Sequence, residues 1–365
     1  MRCLHQPLNP SPYTSKLLLL LHMLTTNQDN PDMEINTNQH PDSIWTWHKL
    51  HGKKFTLWIP YLNHFESKKK NIYSVHYNGG EFTFDVRDVD CLMLYGASGI
   101  LPVGLLDDLA SNGAILLLHR RNMPHPYALY PSVFESKNDV LTRQILAREN
   151  ASTSAYIART LIRERFHGFE RFGLAVAEST FAELAKLRSV KLIRQLEAQE
   201  TKRFWARYFG ELGIDISRRD NHPVIVALDA GSFFMHGIGL RWLLAHKFSP
   251  AHGYLHEPTR YTSLVYDVLE PYRYLIEMAV MNAWKDSGEE SLTARTIENI
   301  KVLLDEAVYC HETRQTVRRK SLLHGVVLAL RSYLIGDTKR FVVPTEGERI
   351  GGRPLKLAFR MPGPK

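Results

Sequence analysis

Cysteine is scarce in this chain: Cys3, Cys91 and Cys310 are spread over 365 residues, and no two lie close in sequence. Without a CxxC pair or a dense cysteine pattern there is no disulfide framework and no structural zinc motif, which fits a reducing, cytoplasmic setting. Long apolar runs are also lacking. The run from Leu17 to Leu21, continuing to Leu24, is interrupted by His22. It is shorter than the ~20 residues a membrane span takes, and no convincing small-residue cleavage site follows it. No membrane association is expected. Acidic residues are outnumbered, 38 Asp and Glu against 46 Lys and Arg, a formal net charge of +8. That balance suits a polyanionic partner, but it also describes many ordinary enzymes. Proline is missing between Arg143 and Phe209, which leaves that stretch free to form long helices.

What is present divides the chain. A hydrophobic content of 44% with 23% charged residues is that of a globular protein, and the length allows two cores. Residues 1–44 carry Pro7, Pro10, Pro12, Pro31 and Pro41 among several Asn and Gln and read as a poorly ordered extension, with Met33 as an alternative start. Residues 45–123 read as a small β-rich domain. FTLWIPYL, NIYSVHY, EFTFDV and CLMLYG are short runs rich in aromatic and β-branched residues, and Asn78-Gly79-Gly80 marks a hairpin turn. The segment SGILPVGLLDDLASNGAILLLHRR predicts a helix over Val103–Ser111, stopped at Gly113, then a buried strand over Ala114–Leu118. Nothing in this domain looks catalytic, and it reads as a dimerisation or scaffold module.

A linker over residues 124–142, with Pro124, Pro126 and Pro131, leads into a helical domain over residues 143–340. Tyr156, Ile157, Thr160, Leu161 and Glu164 mark one helix. Leu184, Leu187, Lys191, Leu192 and Ile193 mark another that continues through Leu196 to Phe204, with breaks at Gly173, Gly210 and Gly213. A basic tail fills residues 341–365. The expected fold class is α+β, a small β-rich N-terminal domain followed by a larger all-α catalytic domain.

The residues with chemistry to offer lie in that larger domain. In AHGYLHEPTRYTSLVYDVLEPYR, His256 follows a Gly-Tyr-Leu turn and Asp267 comes eleven residues later. Leu264, Val265, Val268 and Leu269 form the buried stripe of a helix beside Asp267, with Glu270 three residues on. A His and an Asp so held are half of a site for a hard divalent metal, and a further carboxylate must come from elsewhere. QLEAQETKRFWARYF offers Glu197 or Glu200, three apart on a helix that also bears Lys202, Arg203 and Arg207. Phe204, Trp205, Tyr208 and Phe209 alternate with these cations. Such interleaving serves a DNA backbone and its bases, or else a core with a solvated basic face, and the pattern leaves both open. Arg218 and Arg219 extend the candidate DNA-binding set. Arg314, Arg318, Arg319 and Lys320, with Arg331, Lys339 and Arg340, are explained about as well by a solvated helix face. His236, His246 and His252 read as packing or surface residues.

Taken in order, these segments resemble the CRISPR-associated adaptation integrases, the Cas-one family, together with their casposase-like relatives. The segment ending the β-rich domain, IARTLIRERF, QLEAQETKRFWARYF and AHGYLHEPTRYTSLVYDVLEPYR carry the resemblance. It implies that Glu197, His256 and Asp267 are the catalytic metal ligands and that Glu270 and Arg273 support them. Two carboxylates and an imidazole suit Mg²⁺ or Mn²⁺. The implied reaction is a transesterification in which the 3′-OH of a short double-stranded DNA, the prespacer, attacks a phosphodiester of the repeat array. Water in place of the hydroxyl would make the same site an endonuclease. A homodimer through the β-rich domain and a small adaptation partner, Cas-two, are implied as well. A casposase-like transposon integrase and a non-catalytic DNA-binding assembly subunit are the alternatives. The chain departs from the family pattern at Ile225, where an Asn is usual, at Ala230 and Ser232 around Gly231, in a His256–Asp267 loop about a residue short, and in its ending GGRPLKLAFRMPGPK.

Overall fold

The computed structural model describes residues 45–48, 54–62, 64–77, 80–120, 125–131, 139–289, 291–348 and 361. The N-terminal extension, the turn residues Asn78 and Gly79, much of the linker and most of the C-terminal tail lie outside the described residues. The chain forms two compact units, residues 1–123 and 124–365.

In the first unit, β1 (Trp45–His48) runs antiparallel to β2 (Phe55–Pro60), and β2 pairs in parallel with β6 (Val89–Tyr95). Strand β6 pairs in parallel with β7 (Ile115–His119). A parallel pair needs a crossover, and α1 (Val103–Ser111) supplies it. The helix spans the range its sequence predicts, and Gly113 takes the left-handed conformation (φ 69°) just beyond it. Every residue of β6 is buried, as expected for a parallel strand covered on both faces. Strands β3 (His64–Lys69), β4 (Ile72–Tyr77) and β5 (Gly80–Asp85) form a separate antiparallel meander. Its buried Phe65, Tyr73, Val75 and Phe84 join Leu57, Ile59, Leu92, Leu94 and Leu105 in one core. Asp108 of α1 accepts from the Tyr73 hydroxyl (2.8 Å) and the Asn71 amide (2.9 Å), tying the crossover helix to the meander.

The second unit begins with a short strand, β8 (Tyr127–Leu129), and is otherwise dominated by helices. Nine α-helices lie among its described residues: α2 (Val140–Glu149), α3 (Ala151–Phe169), α4 (Glu178–Lys186), α5 (Val190–Glu211), α6 (Pro223–Ala245), α7 (Ser263–Leu269), α8 (Tyr274–Ser287), α9 (Leu292–Asp305) and α10 (Lys320–Leu334). The structure adds an antiparallel hairpin to this helical unit, β9 (Ala307–Cys310) with β10 (Gln315–Arg318).

One expected helix is two. The apolar spacing runs from Leu184 to Phe204 without a break, yet the chain turns extended at Leu187 (ψ 134°) before α5 begins. The Arg159 guanidinium takes the Leu187 carbonyl, so the helical ladder stops there. Leu192, counted as part of the apolar stripe, is 47% exposed.

Helix α6 is the centre of the unit. It starts with Pro223 at its first turn, and the His222 ring nitrogen accepts from the Val224 amide (3.2 Å). By length and composition it could cross a membrane, but 78% of the apolar window is buried inside the unit. It is a core helix. Ile225 is among its buried residues, so this position packs as part of the apolar core. At Gly231, a β-carbon would lie 2.7 Å from Ile276 Cγ2 on α8 and 2.9 Å from Ile300 Cδ1 on α9. The small residues around Gly231 thus let three helices approach closely.

Gly231→Val is expected to destabilise the protein by about 1–3 kcal/mol through overpacking, read as a lower urea midpoint with an unchanged slope. An unchanged midpoint would mean that α8 and α9 are not held against α6 at this position.

Candidate divalent-metal site

The site is built on the loop between α6 and α7. Helix α2 clamps this loop from one side. The Gln144 amide donates to the carbonyls of Ser249 and His252 (both 2.8 Å) and accepts from the Ser249 amide (2.9 Å). Arg148 donates to the carbonyls of Gly253 (3.0 Å) and Glu257 (2.5 Å). Ser263, the first residue of α7, accepts from the Gly253 amide and donates to the Ala251 carbonyl. Neither Gln144 nor Arg148 carries a signal in the sequence, because each acts on backbone more than a hundred residues away.

Asp267 holds the loop from the other side. Helix α7 buries Leu264, Val265, Val268 and Leu269 as their spacing predicts, and it buries Asp267 completely. Asp267 Oδ2 accepts from the amides of Tyr254 (2.5 Å) and Leu255 (2.9 Å). Its Oδ1 accepts from the His256 amide (3.0 Å) and pairs with His256 Nδ1 (2.7 Å). A carboxylate offers about four lone-pair positions, and this one uses four. Gly253 makes the approach possible, since a β-carbon there would meet the His256 carbonyl oxygen at 2.6 Å and Asp267 Oδ2 at 2.8 Å.

This bond fixes the chemistry of His256. An ionised carboxylate can only accept, so Nδ1 carries the proton and Nε2 keeps its lone pair in the neutral ring. The side chain is 26% exposed. Burial lowers the His256 pKa, but the Asp267 hydrogen bond and the charges of Asp267, Glu270 and Glu197 outweigh it, and the net shift is upward.

Two further carboxylates act on this imidazole besides Asp267. Glu197 of α5 is half-buried and accepts from the Thr201 hydroxyl (2.8 Å). Glu270, in a 3₁₀ turn just after α7, is 4% exposed. Arg273 donates to Glu270 Oε1 (3.1 Å), and Arg165 Nε stands 3.8 Å from Oε2. Burial followed by the Glu270 charge raises the Glu197 pKa. Burial also pushes Glu270 upward, but Arg273 and Arg165 outweigh it and hold it below the usual range. Glu197, Glu270 and His256 thus act on one another electrostatically, with repulsion between the two acids left over, but their ligand atoms do not converge within 4.8 Å. That donor set fits a hard or borderline divalent cation.

The most tightly converged ligand atoms among the described residues are elsewhere, in the first unit. Glu66, His76 and Glu81 bring theirs within 4.8 Å of one another. There the Lys68 ammonium already sits 2.8 Å from Glu66 and 3.3 Å from Glu81, and it balances the charge.

The remaining candidates divide cleanly. Glu200 is buried and paired with Arg203 (2.5 Å). Phe204, Trp205, Tyr208 and Phe209 are core residues, whereas Lys202, Arg203 and Arg207 line an exposed face. The aromatic–basic alternation is therefore that of an amphipathic helix. Arg218 pairs with Asp229 and lies 5.6 Å from the Trp205 ring, while Arg219 is exposed. Arg318 donates to the Asp305 carbonyl (2.5 Å). Arg319 is 9% exposed and bound to Glu306 (2.6 Å) and Glu346 (2.8 Å), so it serves the fold. His236 meets the Thr262 hydroxyl (2.7 Å), His246 meets His324 (2.7 Å) and His252 meets Ser249 (2.7 Å), all packing contacts.

Comparison with known proteins gives one family match that runs through both units. Residues 61–309 match the family model described as CRISPR associated protein Cas1. No curated protein sequence matches. Among solved structures, a casposase bound to integration product has a TM-score of 0.65 at 16% identity, over 80% of this chain and 94% of that one. A CAS1 protein from Thermotoga maritima has a TM-score of 0.64 at 15% identity, over 80% and 99%. A chain of a Cas6-RT-Cas1–Cas2 complex has a TM-score of 0.62 at 14% identity, over 76% of this chain and 34% of that chain. At these identities the likeness is one of fold.

Gly253→Ala forces a β-carbon against backbone and the Asp267 carboxylate. The expected result is a loss of about 1–3 kcal/mol in metal-free urea unfolding and weaker Mn²⁺ binding by calorimetry. Wild-type values for both would show that Gly253 does not set the Asp267 position.

Proposed function

This chain belongs to the Cas1 family of CRISPR-associated proteins, and on that premise we propose that it is a metal-dependent DNA integrase of CRISPR adaptation. The observation that carries the reading is the Asp267 clamp, which holds the His256 ring through Nδ1 and leaves Nε2 as its accepting nitrogen, under the charges of Glu270 and Glu197.

The ligand set is Glu197, His256 through Nε2, and Glu270, with Mg²⁺ or Mn²⁺ as the ion. This set differs from the one that the family resemblance implies, in which Asp267 is the third ligand and Glu270 its support. Asp267 has no lone pair to spare, and it acts as the carboxylate that orients a ligating histidine. Glu270 is kept ionised by Arg165 and Arg273. When bound, the ion would polarise the scissile phosphodiester and lower the pKa of an attacking 3′-hydroxyl. The protein's own groups keep the imidazole in one tautomer, hold one acid charged, and bring a second acid against it.

The substrate is double-stranded DNA, a prespacer whose 3′-OH is joined to a repeat array. Lys202, Arg203, Arg207 and Arg219 offer exposed cations for its phosphates, and Arg318 and Arg319 are left out because the fold uses them. A similar fold occurs in a structure bound to integration product and in one assembled with Cas2, which supports DNA and a Cas2 partner here. The β-rich unit is the proposed homodimer contact. A casposase-like integrase is the second reading, favoured by a fold as close to the casposase as to a Cas1 structure. Water as the nucleophile would give DNA cleavage at the same ligands.

In a joining assay with Mn²⁺, supercoiled plasmid and a short duplex labelled at its 3′ ends, wild type should transfer label to plasmid. Glu197→Gln, His256→Ala and Glu270→Gln should each lose more than the ~10–100-fold that a supporting contact is worth. They should also lose Mn²⁺ binding in calorimetry. Undiminished joining in all three would reject this ligand set. Lys202→Ala and Arg207→Ala should each lower the slope of log affinity against log salt by about 1, whereas an unchanged slope removes that residue from the DNA face.

A further inference from the structure

The loop that carries His256 is supported by a helix whose own attachment depends on the loop. Helix α2 has little of a core helix: of its ten residues only Val140 and Gln144 are buried, and Leu146 is 60% exposed. It packs beside α3 and α10, but its long polar side chains reach the loop. Gln144, fully buried, makes three bonds to the backbone of Ser249 and His252. Arg148 makes two, to the carbonyls of Gly253 and Glu257. Tyr254 closes the circuit. Its side chain is buried, its hydroxyl donates to the Gln144 carbonyl (3.4 Å), and its amide donates to Asp267 Oδ2 (2.5 Å). One residue thus joins the Asp267 clamp to α2.

Helix and loop therefore hold each other. If α2 detaches, the carbonyls of Ser249, His252, Gly253 and Glu257 lose their donors, while Val140 is the one apolar side chain of α2 that leaves a buried place. Few buried apolar contacts mark a segment that opens at less than the free energy of global unfolding. His256 lies in the loop between Tyr254 and Glu257, so an ion bound through its ring gains from whatever orders that backbone. We propose that docking of α2 and binding of the metal ion are one linked equilibrium, with Gln144 and Arg148 as positioning residues of the site. Every bond they make to the loop goes to backbone, so they act by fixing the chain that carries the imidazole. Linkage makes the effect mutual: α2 strengthens the hold on the ion, and the ion holds α2 down by the same factor. The inference rests on the metal-site reading and deepens it, because it names the element through which the site can be tuned.

The test follows amide hydrogen exchange in the full chain, with and without saturating Mn²⁺. In metal-free wild type the α2 amides should exchange faster than those of α3. Mn²⁺ should slow them about tenfold, together with the amides of Tyr254, Leu255 and His256. Glu197→Gln, which removes a proposed ligand, should abolish the slowing in α2. Gln144→Ala and Arg148→Ala should each raise the Mn²⁺ Kd in calorimetry about fivefold or more, and Arg148→Lys should restore part of the affinity. Mn²⁺ that slows the loop amides but leaves α2 unchanged overturns the proposal, and that comparison needs no variant to fold. Wild-type Mn²⁺ affinity in both alanine variants overturns it as well. Absence of Mn²⁺ binding by wild type would overturn the metal-site reading and the linkage with it. Linked protection without joining in the DNA assay would count against the integrase reading alone.

Discussion

The site depends on one buried carboxylate. Asp267 is out of reach of water, and a carboxylate in that position is tolerated only if its charge is met by hydrogen bonds. Three consecutive amides, from Tyr254, Leu255 and His256, and the His256 imidazole meet it. The loop is thereby wrapped around the side chain, and the cost of burying the charge becomes the specification of the loop. Gly253 follows from the same constraint, because only a residue without a β-carbon lets the backbone come so close. In the proposed ligand set the same constraint leaves the next acid along, Glu270, for the ion.

Glu270 is itself buried, and its charge is balanced by a small network. Arg165 binds Glu277 through two nitrogens (2.5 and 2.8 Å) and reaches toward Glu270, while Arg273 binds Glu270 directly. Arg165 also lies over the Phe169 ring (4.6 Å) within the aromatic cluster that α3 and α5 share. Phe204, on the packed side of α5, also lies against Arg165 (5.3 Å), one of the two cations that keep Glu270 ionised. The same helix carries the half-buried Glu197 and the exposed Lys202, Arg203 and Arg207. Core and site meet on a single helix.

Much of this could be read from sequence, and the reasons for success and failure are physical. Helix α1 and the apolar stripe of α7 follow from local periodicity, and both appear as predicted. His256 stood out in its own segment, and a resemblance across several segments singled out Glu197 over Glu200 as the candidate ligand. The break between α4 and α5 was hidden, because Arg159 makes it from another helix. The different partners of Asp267 and Glu270 were not legible either: three residues apart, one takes the loop amides and the other takes Arg273 and Arg165. Arg319 looked like part of a basic surface, yet its partners Glu306 and Glu346 are thirteen and twenty-seven residues away.

The most direct test is urea unfolding of metal-free protein for wild type, Asp267→Asn and Glu197→Gln. Asparagine keeps one accepting oxygen and turns an amide group toward backbone donors. It should therefore cost about 3 kcal/mol or more. Glu197→Gln should cost nothing measurable, or stabilise slightly, because it removes repulsion from Glu270. If Asp267→Asn proves as stable as Glu197→Gln, Asp267 is not the residue that organises the loop, and its place among the metal ligands reopens.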